Sequence, residues 1–142
     1  MFSKVLNLRK RGEYPQGLSD ETISKVSDYC KEHFGSHLPE GYAKFLKEAN
    51  GFPYDGRSVF CCYNDEIQNV FQRYAGLDFV TFNTKFHANT DISSYLILGK
   101  SSIDYVCYEK ISGKYLVLTN GTMQLITESD NFDGLLESFF GM

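Results

Sequence analysis

The chain has 142 residues, the length of one ordinary domain, and can bury a core without disulfides or metal ions. Its net charge of −4 provides no broad positive field for phosphate backbones, which argues against nucleic-acid binding as its main task. No stretch approaches the ~18 apolar residues of a membrane span. Because the N-terminus also carries no signal-peptide pattern, we predict one cytoplasmic domain over residues 1–142, whose first residues, to about Pro15, could form an extension.

Two amphipathic helices are predicted in the first third of the chain. Ser19 precedes an apolar stripe of helical spacing, and Gly35 is a natural stop at its end. The second helix is predicted to begin at Pro39, because proline has no N–H to lose at the first helical position. The pair Asn50-Gly51 ends it. Both helices need a surface on which to bury their apolar faces.

The middle of the chain gives weaker signals. Residues 58–63 are rich in strand formers and predict a strand, whereas residues 65–74 predict a helix. Residues 78–88 are ambiguous, because their phenylalanines recur at helical spacing while their threonine and valine content favours a strand.

The last third predicts an antiparallel meander. The strand candidates cover residues 95–98, 103–111, 115–119 and 123–127. Ser112-Gly113 and Asn120-Gly121 are the predicted turns, and Asn-Gly suits a type I′ hairpin. A closing helix is predicted from Asn131 to Phe140. The fold class is therefore α+β, with an antiparallel sheet packed by N-terminal helices and a C-terminal helix.

The cysteines indicate neither a metal site nor disulfides. No CxxC spacing occurs, and adjacent Cys61 and Cys62 would point to opposite faces of a strand. Without a secretory signal, reduced thiols are expected. We predict no metal and no cofactor. The four cysteines are Cys30, Cys61, Cys62 and Cys107.

Two patterns in the sequence could indicate catalysis. The segment Leu98-Gly99-Lys100-Ser101 matches the tail of a phosphate-binding loop, but Ser94 replaces the required glycine, so a turn between strands is the better interpretation. Cys61 or Cys62 could meet His87 in space and form a small hydrolase, although no nucleophile-elbow sequence supports this. That alternative stays open at the level of sequence.

One run of residues resembles a known family. Residues 38–51 begin with Leu-Pro, carry Tyr three residues after Pro, continue with Phe-Leu and end with Asn-Gly. This pattern resembles the signature helix of the SUKH superfamily, also called the Smi/Knr-like family. The matching residues are Leu38, Pro39, Tyr42, Phe45, Leu46, Asn50 and Gly51.

The resemblance implies a non-enzymatic protein-binding domain. Bacterial members look like immunity proteins that neutralise a cognate toxin, often a nuclease, inside the cell. Fungal relatives are linked to regulation of cell-wall glucan synthesis, which is the alternative function. The signature residues are mostly scaffold, so the resemblance supplies no binding site.

A partner surface is therefore expected elsewhere. An acidic chain would be steered toward a basic toxin. Aromatic and carboxylate side chains just beyond the signature helix are candidates for that contact, although an ordinary polar loop would explain them equally well. The candidates are Tyr54, Asp55, Tyr63, Asp65 and Glu66.

Overall fold

A computed structural model describes residues 2–62, 78–89 and 94–142. The helices are α1 (Ser3–Leu6), α2 (Asp20–Phe34), α3 (Glu40–Glu48), α4 (Phe79–Asn89) and α5 (Phe132–Phe139). The strands are β1 (Phe52–Tyr54), β2 (Arg57–Val59), β3 (Tyr95–Lys100), β4 (Asp104–Glu109), β5 (Tyr115–Thr119) and β6 (Leu125–Ser129).

The strands form one antiparallel sheet in the order β1-β2-β3-β4-β5-β6. Every strand therefore neighbours the strand that precedes it in sequence. Helices stand before and after the sheet strands, so the predicted α+β class is confirmed. The one long connection along this path joins β2 to β3, which pair through Ser58 with Lys100 and Val59 with Gly99.

Local signals fixed the helix ends closely. The Ser19 hydroxyl accepts a hydrogen bond from the Thr22 amide at 3.2 Å, and Gly35 ends α2 with a φ of 79°. The second helix, α3, begins one residue later than predicted. Pro39 is its N-cap, with a ψ of 138°, and Glu40 is the first helical residue. The helix ends at Glu48 because Ala49 is already extended.

The core lies between the helices and the sheet, and it includes the N-terminal segment. Phe2, Val5 and Leu6 are buried, and the Phe2 ring packs edge-on against Phe45 and Phe132 at centroid distances of 5.1 and 6.1 Å. The segment before α2 therefore contributes apolar side chains to the same core as the sheet.

One turn prediction needs correction. Asn120-Gly121 does not form a type I′ turn, because Gly121 and Met123 have positive φ but Asn120 does not. The connection runs over residues 120–124, so β6 starts two residues later than predicted. A type I′ geometry occurs instead at Asp55-Gly56, where φ is 50° and 75° and Tyr54 pairs with Arg57.

The middle segment is only partly as predicted. The strand expected over residues 58–63 ends at Val59, although Phe60 still donates a backbone hydrogen bond to Leu98 at 2.8 Å. The ambiguous residues 78–88 are resolved as the helix α4. The helix predicted over residues 65–74 lies outside the described residues.

Candidate partner-binding site

Two of the predicted contact residues lie together on the β1–β2 hairpin. The Asp55 side chain is 77% exposed, and its Oδ2 lies 3.5 Å from Nη1 of Arg57. The Tyr54 ring is half-buried and contacts Phe140 at a centroid distance of 6.3 Å. Tyr54 therefore belongs partly to the core edge, whereas Asp55 is available to a partner. Tyr63, Asp65 and Glu66 lie outside the described residues.

The hairpin forms one wall of an open groove of about 380 Å³. We call it the hairpin groove; it is lined by Arg9, residues 53–58 and residues 100–102. The turn between β3 and β4 supplies the second wall, because the pairing of β2 with β3 brings residues 100–102 alongside the hairpin. Ser101 shapes that turn, since its hydroxyl accepts hydrogen bonds from the amides of Ile103 and Asp104 at 3.3 and 3.1 Å.

The charge of the hairpin groove differs from that of the whole chain. Arg9, Arg57 and Lys100 line it, and Asp55 is the single carboxylate among the described residues that do so. The Lys100 ammonium also lies 5.9 Å from the centroid of the Phe82 ring. We expected carboxylates and aromatics at this surface, and the local excess of basic groups was not predicted.

The signature residues act as scaffold for the segment that follows β2. Tyr42 Oη donates a hydrogen bond of 2.6 Å to the carbonyl of Phe60. The Asn50 side chain bonds both backbone groups of Cys62. Gly51 has a φ of 97°, and a Cβ there would lie 3.0 Å from Cys61 Cβ, so this position favours glycine. The other matching residues, Leu38, Pro39, Phe45 and Leu46, are buried.

A second buried asparagine plays a similar part and was missed by the sequence interpretation. Asn83 on α4 donates to the Ile97 carbonyl at 2.8 Å and accepts from the Ile97 amide at 2.9 Å. The short β2 pairs only with the end of β3, so the Asn83 amide satisfies backbone groups that β2 does not reach. A polar residue on the apolar face of a helical pattern is the signal that could have identified it.

The thiols sit in environments that keep them protonated. All four cysteines are described and buried, and none forms a disulfide. Burial, and secondarily the Asp78 carboxylate, raises the pKa of Cys61 to about 12. Burial also raises the pKa of Cys62, whose Sγ lies 3.8 Å from Tyr42 Oη. Thiolates are the nucleophilic form, so these environments oppose cysteine catalysis.

His87 packs against the end of α2 and lies beside Lys110 in the turn between β4 and β5. Its ring stacks on Phe34 at a centroid distance of 5.0 Å, and its Nδ1 lies 2.8 Å from the Asn83 carbonyl oxygen. Lys110 Nζ is 3.5 Å from its Nε2. Burial lowers the pKa of His87, with a smaller contribution from the Lys110 charge in the same direction.

The described residues contain neither a cluster of metal-ligating side chains nor a helix that could span a membrane. Within residues 2–62, 78–89 and 94–142, no three His, Cys, Asp or Glu side chains converge to hold a metal ion. No helix formed by this part of the chain is long and apolar enough to cross a bilayer.

Comparison with known proteins identifies a solved structure of similar fold but gives no information on function. No family model matches the chain, and no curated protein matches it. A solved structure described as a protein from Pseudomonas syringae pv. tomato aligns with a TM-score of 0.61 at 12% identity, covering 93% of this chain and 89% of that one. At this identity the likeness concerns the fold alone. The chain thus shares its overall architecture, over nearly its whole length, with that bacterial protein.

Proposed function

We propose that this chain is a non-enzymatic protein-binding domain of the SUKH superfamily that serves as an immunity protein against a cognate toxin. The observation that carries the proposal is the run from Leu38 to Gly51. It matches the family signature in spacing, and its members are buried or bonded as a scaffold. A scaffold of this kind leaves the hairpin beside it as the surface for a partner.

The hairpin has the properties of a contact surface. Its turn is a type I′ hairpin, so the backbone that carries Tyr54 and Asp55 is fixed before a partner binds. Fixed contact residues lose little conformational entropy on binding. The open groove beside them offers a concave surface where a protruding side chain of the partner can be excluded from water.

Rescue of host growth from the toxin is the decisive experiment. The toxin-like gene next to this one would be expressed in a heterologous host with and without this chain, and complex formation would be followed by pull-down. We expect growth to be restored and the two proteins to co-purify. Absence of both rescue and complex would refute the immunity role.

Matched substitutions locate the contact. Asp55→Asn removes the charge and keeps a residue type that tolerates positive φ. Asp28→Asn makes the same change at an exposed position of α2 and serves as the control. We expect Asp55→Asn, and more strongly Tyr54→Ala, to weaken rescue while the control does not. Equal effects at both aspartates would contradict a contact at the hairpin.

The regulatory role known for fungal relatives of the family is the competing function. It requires endogenous partners and no toxin. Affinity purification from the native host separates the two: a single neighbouring toxin supports immunity, whereas several cell-envelope proteins support regulation.

A further inference from the structure

We infer that the hairpin groove binds a carboxylate side chain of a peptide segment, with Arg9 and Arg57 as the groups that hold it. The inference deepens the proposed function and rests on it only in taking this surface as a binding surface. Its basis is a local excess of basic side chains in a concave site of an otherwise acidic chain.

Arg9 is held in place before any ligand arrives. Its Nη1 donates a hydrogen bond of 2.9 Å to the carbonyl of Pro53, which is 44 residues away in sequence. Its Nη2 lies 3.5 Å from Glu13 Oε2. About one third of the side chain remains exposed at 31%. A guanidinium that is already oriented loses less entropy when it forms further hydrogen bonds.

Arg57 carries a weak internal partner that a ligand can replace. Its Nη1 lies 3.5 Å from Asp55 Oδ2 and 3.4 Å from the Asp55 carbonyl oxygen, both long for a hydrogen bond. The two side chains are 38% and 77% exposed, so solvent screens the pair. A carboxylate with bidentate geometry would make the stronger contact with this guanidinium.

The size and charge of the site favour a peptide carboxylate over a polyanion. A volume of about 380 Å³ holds a side chain with its neighbouring backbone. Long-range repulsion from a net charge of −4 opposes a nucleic acid, which carries many phosphates. A single carboxylate next to apolar or neutral residues needs only the short-range attraction of the two guanidinium groups.

The test uses synthetic peptides and the full chain. An acetylated Gly-Gly-Glu-Gly-Gly amide is titrated into ¹⁵N-labelled protein, with the Gln-for-Glu peptide as its matched control. We expect shifts concentrated at residues 54–58 and 100–102 for the Glu peptide alone. Arg57→Gln and Arg9→Gln are each expected to weaken binding about tenfold, the loss typical of a charge-assisted hydrogen bond.

Control variants keep the result interpretable. Lys114→Gln removes a basic side chain outside the groove and should leave the dissociation constant unchanged. Arg57→Lys keeps the charge without the planar fork and should give an intermediate affinity. The dispersed spectrum of each variant reports that it is folded.

Any of three outcomes with the peptides would overturn the inference. They are equal binding of the two peptides, shifts that map elsewhere, and unchanged affinity of Arg57→Gln. Tighter binding of inorganic phosphate than of the Glu peptide at the same residues would also overturn the choice of a carboxylate. Because no toxin enters this experiment, its failure leaves the rescue assay, and hence the proposed function, independently testable.

Discussion

The side-chain amide of Asn50 forms with the backbone of Cys62 the two hydrogen bonds that a neighbouring strand would otherwise provide. Asn50 Oδ1 accepts from the Cys62 amide at 2.7 Å, and Asn50 Nδ2 donates to the Cys62 carbonyl at 3.2 Å. Both residues are buried. The end of the signature run thereby fixes the course of the chain after β2, which also positions the hairpin preceding it.

Removing the Asn50 side-chain amide should lower the free energy of unfolding. Asn50→Ala leaves the buried N–H and C=O of Cys62 without their partners, and we expect a loss of about 2–3 kcal/mol in the free energy of unfolding. Urea denaturation followed by circular dichroism measures the loss. Asn120→Ala, at an exposed turn position, is the control and should change stability by less than about 0.5 kcal/mol. Similar values for the two variants would contradict the pairing role of Asn50.

Two helical glycines should respond oppositely to the same substitution. A Cβ at Gly41 would lie 2.6 Å from Phe132 Cβ and 2.7 Å from Tyr115 Oη, so Gly41→Ala should cost about 1–3 kcal/mol through overpacking. A Cβ at Gly134 meets Ser129 Oγ at an ordinary 3.7 Å. Gly134→Ala should therefore stabilise α5 by about 0.5–1 kcal/mol through its higher helix propensity. Thermal unfolding of both variants checks the opposite signs.

Stability should fall in mildly acidic solution because of His87. Its pKa is lowered in the folded state from the ordinary 6.5, so the unfolded chain binds the proton more readily. The contribution of neutral His87 is complete above pH 6.5 and declines as the pH falls through 6.5 toward the folded-state pKa. The adjacent Lys110 cation repels the imidazolium and adds to this effect.

The comparison of two histidine variants measures that contribution. Urea unfolding at pH 7.5, 6.5 and 5.5 should show a smaller pH dependence for His87→Phe than for the original chain. His37→Gln, at an exposed histidine, serves as the matched control. An unchanged slope in His87→Phe would show that the titrating group lies elsewhere.

The cysteines should resist modification while the protein is folded. Burial raises the pKa of Cys30 and of Cys61 to about 12 each, so little thiolate exists at pH 8. We expect a disulfide reagent to react slowly with the native chain and to modify all four thiols at once in urea. Rapid labelling of one cysteine in the native state would identify an activated thiol and revive the hydrolase hypothesis.

Much of the fold followed from signals that neighbouring residues carry. The Ser19 cap, the Gly35 stop and the strand at 115–119 were predicted correctly, because caps and periodicity depend on residues a few positions apart. The meander followed from the same alternation. These features can be read directly from the chain, since each is set by local geometry.

Tertiary contacts decided the rest. The Asn120-Gly121 pair had the composition of a type I′ turn, but Asn120 is tied to the neighbouring turn through a 2.8 Å bond to the Ile103 carbonyl, and the connection is longer. The Asp55-Gly56 turn was present in the sequence and overlooked. No local signal joins Arg9 to the hairpin, because that contact spans 44 residues and exists only once the sheet and the N-terminal segment have packed together. The hairpin groove and its basic lining therefore come from the tertiary structure alone, since they depend on which distant residues the folded core brings together.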